Sequence, residues 1–480
     1  MSQRHVVVVG GGITGLTAAR ALLGAGTAPV RVTLVESSER LGGKIRTEQI
    51  ASKAVDVGAE ALLTKVPGGL ELCRELGLQG ELISPAEKTT YVWARGRLRE
   101  LPAGILAGLP DGAMPLLRSG ILSPSGVARA ALDLVLPAAK AREDRSVGEL
   151  VRGRLGQQAL DRLVDPLLGT IYAADSDSLS VRATAPQIET LARKHRSLIL
   201  ASRGVKPPPY SGPMFVTVAG GLQRIVDRLR DEIAPADVRL QTRATRIERA
   251  GDGRYRLELS AGETLSADGI VIAAPASEAS SMLSALSPAA ADELRGVRYT
   301  STVLLTLRYP SSAARAPLHG AGFLVPQSTG WLLGACTWLS AKWTPLAAGE
   351  ELWLRCSIAR PAIDRASSLD DEQLTRAISD ELTQAMGLLG RPLTVMVTRW
   401  HHALPVYEPG HLDRMARLEE HVSKLPGLEL AGAAYRGIGV PQCIAQGKAA
   451  VVRVLSELDR TIEPGRERNL GADGDALTAV

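Results

Sequence analysis

The stretch VVVVGGGITGLTAAR, residues 6–20, constrains the fold more than any other part of the chain. Four valines in a row, with no polar alternation, read as a strand buried on both faces, which is how strands look in a parallel sheet covered by helices. The run meets Gly10, Gly12 and Gly15 in the spacing G-x-G-x-x-G and passes directly into a helical pattern over 13–25. A second β-branched run, Val30 to Val35, follows. Strand, glycine turn, helix and strand make one βαβ unit, so the chain is expected to be α/β and Rossmann-like in its first part.

Such a turn is a seat for a pyrophosphate. Gly10 permits the tight bend, Gly12 admits close backbone approach, and Gly15 lets the helix lie on the strand. Gly11, Ile13 and Thr14 share that corner, where free N–H groups at the positive end of the helix face an anion. The second strand runs into Glu36, 21 residues after Gly15, with Ser37 next. A carboxylate there accepts hydrogen bonds from ribose hydroxyls and repels a 2′-phosphate, which argues against NADP. A further glycine pair follows in Arg40-Leu41-Gly42-Gly43-Lys44, then Gly58, Ala59, Glu60 and Ala61. Two close approaches in succession fit a ligand longer than NAD needs, with Arg40 placed to pair with its pyrophosphate. Near the other end, LELAGAAYRGIGVPQC over 428–443 reads as a strand, a glycine turn and a helix start.

In this order, the glycine motif, the acid and the R-x-G-G-K turn resemble the amine-oxidase-like FAD superfamily. The resemblance implies FAD as cofactor. It places Lys44 and Gly58 to Ala61 along the flavin, and Ala433, Ile438, Gly439 and Val440 at the closing end of the site. The backbone of Ala244, in the segment RATRI, would then contact adenine. The helix start near Val440 points its positive end at the flavin pyrimidine ring.

Three further stretches narrow the resemblance to the porphyrinogen oxidases. These are GTIYAADSDSLSVRAT at 169–184 with HRSL from His195, the segment from Trp400 to GHL at 410–412 through Pro405 and Tyr407, and ACTWLSAKWTP at 335–345. The last is similar to the branch that acts on coproporphyrinogen III, a tetrapropionate. Thr90 stands where the protoporphyrinogen branch tends to carry a basic residue. Activity on coproporphyrinogen III, with O₂ as acceptor, H₂O₂ as product and hand-over of the porphyrin to a ferrochelatase, is what this resemblance implies. A protoporphyrinogen oxidase and a flavin-containing porphyrin carrier remain the competing readings. The flavin carries the chemistry, so no side chain is singled out as catalytic. Thr170, Ile171, Tyr172 and Lys342 are the expected substrate wall, with plain packing as the alternative. One departure stands out: Thr170 occupies the family's usual glycine position, with Gly169 one place earlier, so a narrower site or a shifted turn is expected.

The rest of the chain bounds these readings. Its 480 residues are 45% hydrophobic and 22% charged, enough for a core without staples. Cys73, Cys336, Cys356 and Cys443 form no C-x-x-C pair. With no leader-like start and no long apolar run, they point to a reducing, cytoplasmic setting and at most peripheral membrane contact. The net charge of +5 is mild and shows no basic stripe with interleaved aromatics, which excludes nucleic acid as the expected partner. His401, His402 and His411 match no usual zinc spacing, so no metal is expected. Cys443, at the helix start, is placed for a lowered thiol pKa, with burial as the competing reading. Arg95, Arg97 and Arg99 alternate and are read either as propionate contacts or as the polar face of an edge strand.

The expected organisation is an FAD-binding domain in three pieces, 1–90, 210–285 and 401–460. A strand-rich substrate domain takes 91–105 and 286–400, and a helical insertion takes 106–209. The proline-rich Lys206 to Pro213 reads as a linker and 461–480 as a disordered tail.

Overall fold

A computed structural model of the chain describes residues 3–25, 29–102, 109, 112–137, 144–204, 212–347 and 349–460. The expected tail and most of the proline-rich segment lie outside these residues.

The valine run is the middle strand of a five-stranded sheet. The spatial order is Asp237–Arg239, Val30–Val35, Arg4–Val9, Gly269–Ile272, Leu428–Leu430. Every pairing is parallel. Successive side chains on a strand point to opposite faces. Val6 and Val8 accordingly join one core with Leu16, Leu22, Val451 and Val454. Val7 and Val9 join another with Ile270, Ile272, Leu257 and Leu283. No valine of the run is more than 5% exposed, as a strand covered on both faces requires. The helices Ile13–Leu23 and Val440–Arg460 cross on the first face. A Cβ on Gly447 would lie 2.5 Å from the Thr14 carbonyl, so the two helices meet almost backbone to backbone. The opposite face carries an antiparallel sheet of Ala244–Arg249, Tyr255–Leu259 and Thr264–Ala267. The pattern over 238–247 predicts one strand, but the chain forms two in different sheets, turned at Gln241, whose φ is +51°.

A seven-stranded sheet forms a second layer, in the order Thr394–Pro405, Tyr299–Pro310, Glu351–Ile358, Leu333–Trp338, Gly322–Leu324, Thr90–Ala94, Arg97–Glu100. Only Gly322–Leu324 and Thr90–Ala94 pair in parallel. One face packs on the helix Asp371–Met386 through Leu305, Cys336, Cys356, Leu374 and Ile378. A helical unit built around Leu116, Leu150, Leu163, Val181 and Ile188 lies beside it. The pattern over 147–165 predicts one helix. Instead Val147–Leu155 stops at Gly156, whose φ is +89°, and the chain continues through a π turn, Leu160–Val164, into Asp165–Tyr172. Ala173, at φ +48°, ends that helix. The apolar stretch after Leu101 is divided: Leu109, Leu116, Ile121 and Leu122 are buried, while Met114, Leu117, Leu132 and Val135 are exposed.

Candidate active site

A cavity of about 640 Å³ runs from the carboxyl ends of the parallel strands to the inner face of the seven-stranded sheet. Gly10, Gly12, Ile13, Thr14, Glu36 and Ser37 line one end, and Thr242, Arg243 and Ala244 the same side. Gly42, Gly43, Lys44, Gly58, Ala59 and Glu60 line the middle, with Ala433, Ile438, Val440 and Cys443. The far end is Thr170, Ile171 and Ala173 from the helix end, facing Thr302, Leu304, Ala335, Thr337, Arg355 and Ser357 of the sheet.

The cradle is shaped by what its glycines lack. A Cβ on Gly15 would fall 1.8 Å from the Gly10 carbonyl oxygen, so helix and turn close only on glycine. A Cβ on Gly12 would meet nothing within 4 Å, because that position faces the open cavity. The helix Ile13–Leu23 has no side-chain cap and no acid in its first turn, so its leading N–H donors remain for an anion. Glu36 accepts the N–H of Gly11 at 2.6 Å and of Ser38 at 2.8 Å. Oε1 also accepts the Ser38 hydroxyl at 2.7 Å and is filled, whereas Oε2 carries only the Gly11 N–H and keeps a position for a ribose hydroxyl. Lys44 opens onto the cavity, and burial lowers its ammonium pKa.

Several expected site residues lie elsewhere. Gly11, Gly15, Ala61 and Gly439 support the walls without forming them. Arg40 is not on the wall either: its guanidinium donates to the carbonyls of Leu41, Gly43 and Ile45 at 2.9, 2.6 and 3.2 Å, bracing the glycine turn. Tyr172 points away from the cavity, donates to the Thr184 carbonyl at 3.2 Å, and burial pushes its phenol up to about 12. Lys342 is also off the wall and pairs with Glu60. Arg97 and Arg99 lie on the sheet's edge strand, as the polar-edge reading expects, but Arg95 sits in the hairpin turn at φ +56°, off that strand, and none of the three reaches the cavity. The Cys443 thiol is pushed up to about 11 by burial, opposite to the lowering that a helix start alone predicts. Thr170 does reach the wall. Its hydroxyl bonds back to the Pro166 carbonyl at 2.6 Å, so the helix continues through the position where a glycine is usual.

The segment 57–60 is clamped from the seven-stranded sheet. Trp400 Nε1 donates to the Val57 carbonyl at 2.8 Å, and Arg355 Nη2 to the Gly58 carbonyl at 2.6 Å. Glu60 accepts from Lys342 Nζ at 2.6 Å, Trp343 Nε1 at 2.9 Å and Arg355 Nη1 at 2.9 Å. Desolvation raises the Glu60 carboxyl, but the charges of Lys342 and Arg355, with hydrogen bonds from Lys342 and Trp343, outweigh it and bring it to about 2. Nearby Asp56 shows the opposite balance: burial holds it up at about 6 despite bonds from Thr47 and the Leu222 N–H.

The Trp400–GHL stretch acquires a physical role here. Tyr407 donates to the Ala433 carbonyl at 2.6 Å and accepts the Gly437 N–H at 2.8 Å. His411 stacks on Tyr407 at 4.0 Å and bonds the Tyr435 carbonyl at 2.9 Å. Trp400, Tyr407 and His411 thus pin two separate cavity walls. His401 and His402 are exposed, and among the described residues no three His, Cys, Asp or Glu side chains converge as metal ligands. Arg355 and Ser357 are the main additions that sequence reasoning missed. The signal was present: in ELWLRCSI they are polar positions two apart within the apolar interior of the strand, hence on one face.

A dinucleotide cradle continuous with a chamber over a largely antiparallel sheet defines a flavin-dependent oxidoreductase of the amine-oxidase fold. The chain belongs to the flavin-containing amine oxidoreductase family, whose sequence profile matches residues 13–455. Its cofactor is FAD, which suits the uncapped helix, the open face of Gly12 and Glu36. The chain is 35% identical to the coproporphyrinogen III oxidase of Bacillus subtilis (strain 168), covering 95% of this chain and 99% of that one. It is 29% identical to the protoporphyrinogen oxidase of Bos taurus, covering 94% and 98%. A crystal structure of a provisionally assigned protoporphyrinogen oxidase from Exiguobacterium sp. 255-15 superposes with a TM-score of 0.84 at 30% identity, covering 96% of this chain and all of that one.

Proposed function

We propose that this chain oxidises coproporphyrinogen III to coproporphyrin III in haem biosynthesis, with O₂ as the electron acceptor and H₂O₂ as the product. One observation supports the reading above all: the cradle and the sheet-floored chamber form one undivided cavity, so a macrocycle in the chamber can meet the flavin edge. Bound FAD supplies a hydride acceptor for the saturated bridging carbons, and repeated oxidations with loss of N–H protons give the aromatic porphyrin.

The protein's share is binding and electrostatics. The helix Val440–Arg460 has no acid in its first turn, so its start offers a positive end to negative charge developing on the cofactor. Ile171, Leu304 and Ala335 give the chamber an apolar lining that excludes water. Glu60, Arg355 and Trp400 fix the 57–60 segment against the sheet, so the two ends of the cavity keep their spacing. Among the described residues no helix is long and apolar enough to cross a membrane. We place the reaction in the cytoplasm, with membrane contact at most peripheral and a ferrochelatase as the next user of the product.

The experiment offers coproporphyrinogen III and protoporphyrinogen IX separately to the FAD-loaded protein and follows porphyrin fluorescence and H₂O₂ together. Faster turnover of coproporphyrinogen III is expected. Preference for protoporphyrinogen IX overturns the substrate assignment, and porphyrin binding without O₂ consumption overturns the enzyme.

A further inference from the structure

A second cavity, of about 40 Å³, opens beside the first and shares Thr170, Ala173, Thr302 and Ser357 with it. Among the residues it adds, Arg360, Gln327 and Asp165 are the polar ones, set between Pro166, Val325 and Ile358. The topology explains why these meet. Gly322–Leu324 and Glu351–Ile358 flank Leu333–Trp338 and each runs antiparallel to it, so the two outer strands point the same way. Each ends in a single 3₁₀ turn, Gln327–Thr329 and Arg360–Ala362, at the same end of the sheet. From the other side comes Gly169. A Cβ there would lie 3.7 Å from Gln327 Nε2 and 3.8 Å from Asp165 Oδ1, so the missing side chain keeps the cavity open.

The charges around it are unequal. Arg355 pairs with Glu60, and Arg243 with Glu278. Arg360 is half-buried with no ion-pair or hydrogen-bond partner among the described residues, and the Gln327 amide has none either. A guanidinium on a cavity wall with no carboxylate partner keeps its donors available to an anion that enters. Asp165 is the one acid on this wall. Its Oδ1 already accepts the Ser176 N–H at 3.0 Å, and burial raises its pKa above the ordinary aspartate value. A volume of about 40 Å³ exceeds what one water needs and falls far short of a pyrrole ring.

We propose that Arg360 and Gln327 form a carboxylate subsite that takes one propionate of the porphyrinogen and sets the pose of the macrocycle in the main chamber. This rests on the coproporphyrinogen reading above. The guanidinium pairs with the carboxylate through two N–H donors, and the Gln327 amide supplies a third.

The test uses FAD-loaded wild type, Arg360→Met, Arg360→Lys and Gly169→Val, each checked by flavin absorbance and melting temperature. The substrates are coproporphyrinogen III and its tetramethyl ester, which has no carboxylates. Arg360→Met is expected to raise KM for the acid at least tenfold, the weight of one charge-assisted hydrogen bond. Its kcat should stay within about threefold and the ester should be unaffected. Arg360→Lys recovers part of the loss, and Gly169→Val, which fills the cavity, reproduces it. An unchanged KM in Arg360→Met, or equal losses for acid and ester, overturns the subsite. If wild type fails to oxidise coproporphyrinogen III, the functional reading fails instead. The subsite is then judged by coproporphyrin III binding, where equal affinity of wild type and Arg360→Met refutes it.

Discussion

Glu60 is the point where the cofactor segment and the seven-stranded sheet are held together by charge, so Glu60→Gln is the informative perturbation. Its carboxylate meets two cations and an indole N–H, with side-chain exposures of 15% for Glu60, 18% for Lys342 and 14% for Arg355. The carboxyl lies at about 2 against its ordinary 4.5. At ~1.4 kcal/mol per pH unit this corresponds to roughly 3 kcal/mol in favour of the charged form. Because the folded-state value is depressed, that stability is present above about pH 4.5 and is lost as pH falls towards 2. Glutamine keeps the shape and leaves Lys342 and Arg355 without their anion. Removing one partner of a buried pair costs about 3–5 kcal/mol, and the residual exposure favours the lower end. The assay is urea denaturation of the FAD-loaded protein at pH 7.5, followed by circular dichroism and flavin fluorescence. The double variant Glu60→Gln/Lys342→Met, which removes one stranded cation, is expected to recover more than 1 kcal/mol of the loss. A single variant within about 0.5 kcal/mol of wild type, or a double variant weaker than the single, refutes the reasoning, because the cluster would then be a solvated contact of little weight.

Other outcomes follow from the same geometry. Gly15→Val is expected to yield no folded protein, since its Cβ would fall 1.8 Å from the Gly10 carbonyl, whereas Gly12→Val should fold and lose FAD; absorbance at the flavin band and circular dichroism separate the two. Asp56, held up at about 6, destabilises the fold as pH rises through that value, so Asp56→Asn should flatten the pH dependence of the melting temperature between about 4 and 6. Asp133 is fully buried and accepts from Arg154 at 2.6 Å, Ser197 at 2.7 Å and the Ile199 N–H at 3.0 Å; Asp133→Ala should cost about 3–5 kcal/mol and expose the helical unit to limited proteolysis first. Cys443, at about 11, should resist thiol reagents at pH 8 in the folded protein and react only after denaturation.

The dinucleotide end of the site was legible because its requirements are local. G-x-G-x-x-G, an apolar run and an acid at the next strand end act through contacts a few residues apart, and spacing along the chain is nearly spacing in space. Gly10, Gly12, Glu36 and Lys44 are on the wall for that reason. Ala244, Ile438 and Val440 were reached through resemblance, since nothing in their own surroundings announces a ligand. The substrate end was harder to read. Lys342 looked like a wall residue because it is a cation in a distinctive stretch, yet its charge is absorbed by Glu60, 282 residues away. Tyr172 sits one place beyond Ile171 on a helix, about 100° round the axis, and that turn alone takes it off the wall.

The sequence alone determined that a parallel sheet with a pyrophosphate turn must form, because hydrophobic period and glycine spacing act over a few residues and leave no other packing. The choice of FAD over NAD came with the resemblance of its motifs to a known family. Tertiary structure decided the rest. The central sheet takes strands from 4–35, 237–272 and 428–430, so its last pairings form only when distant segments arrive. Which cations are neutralised and which are left to meet a substrate depends on pairings such as Glu60 with Arg355, made across 295 residues. Charge balance in a cavity is a property of its whole wall, and a wall drawn from several segments is defined only in the folded state.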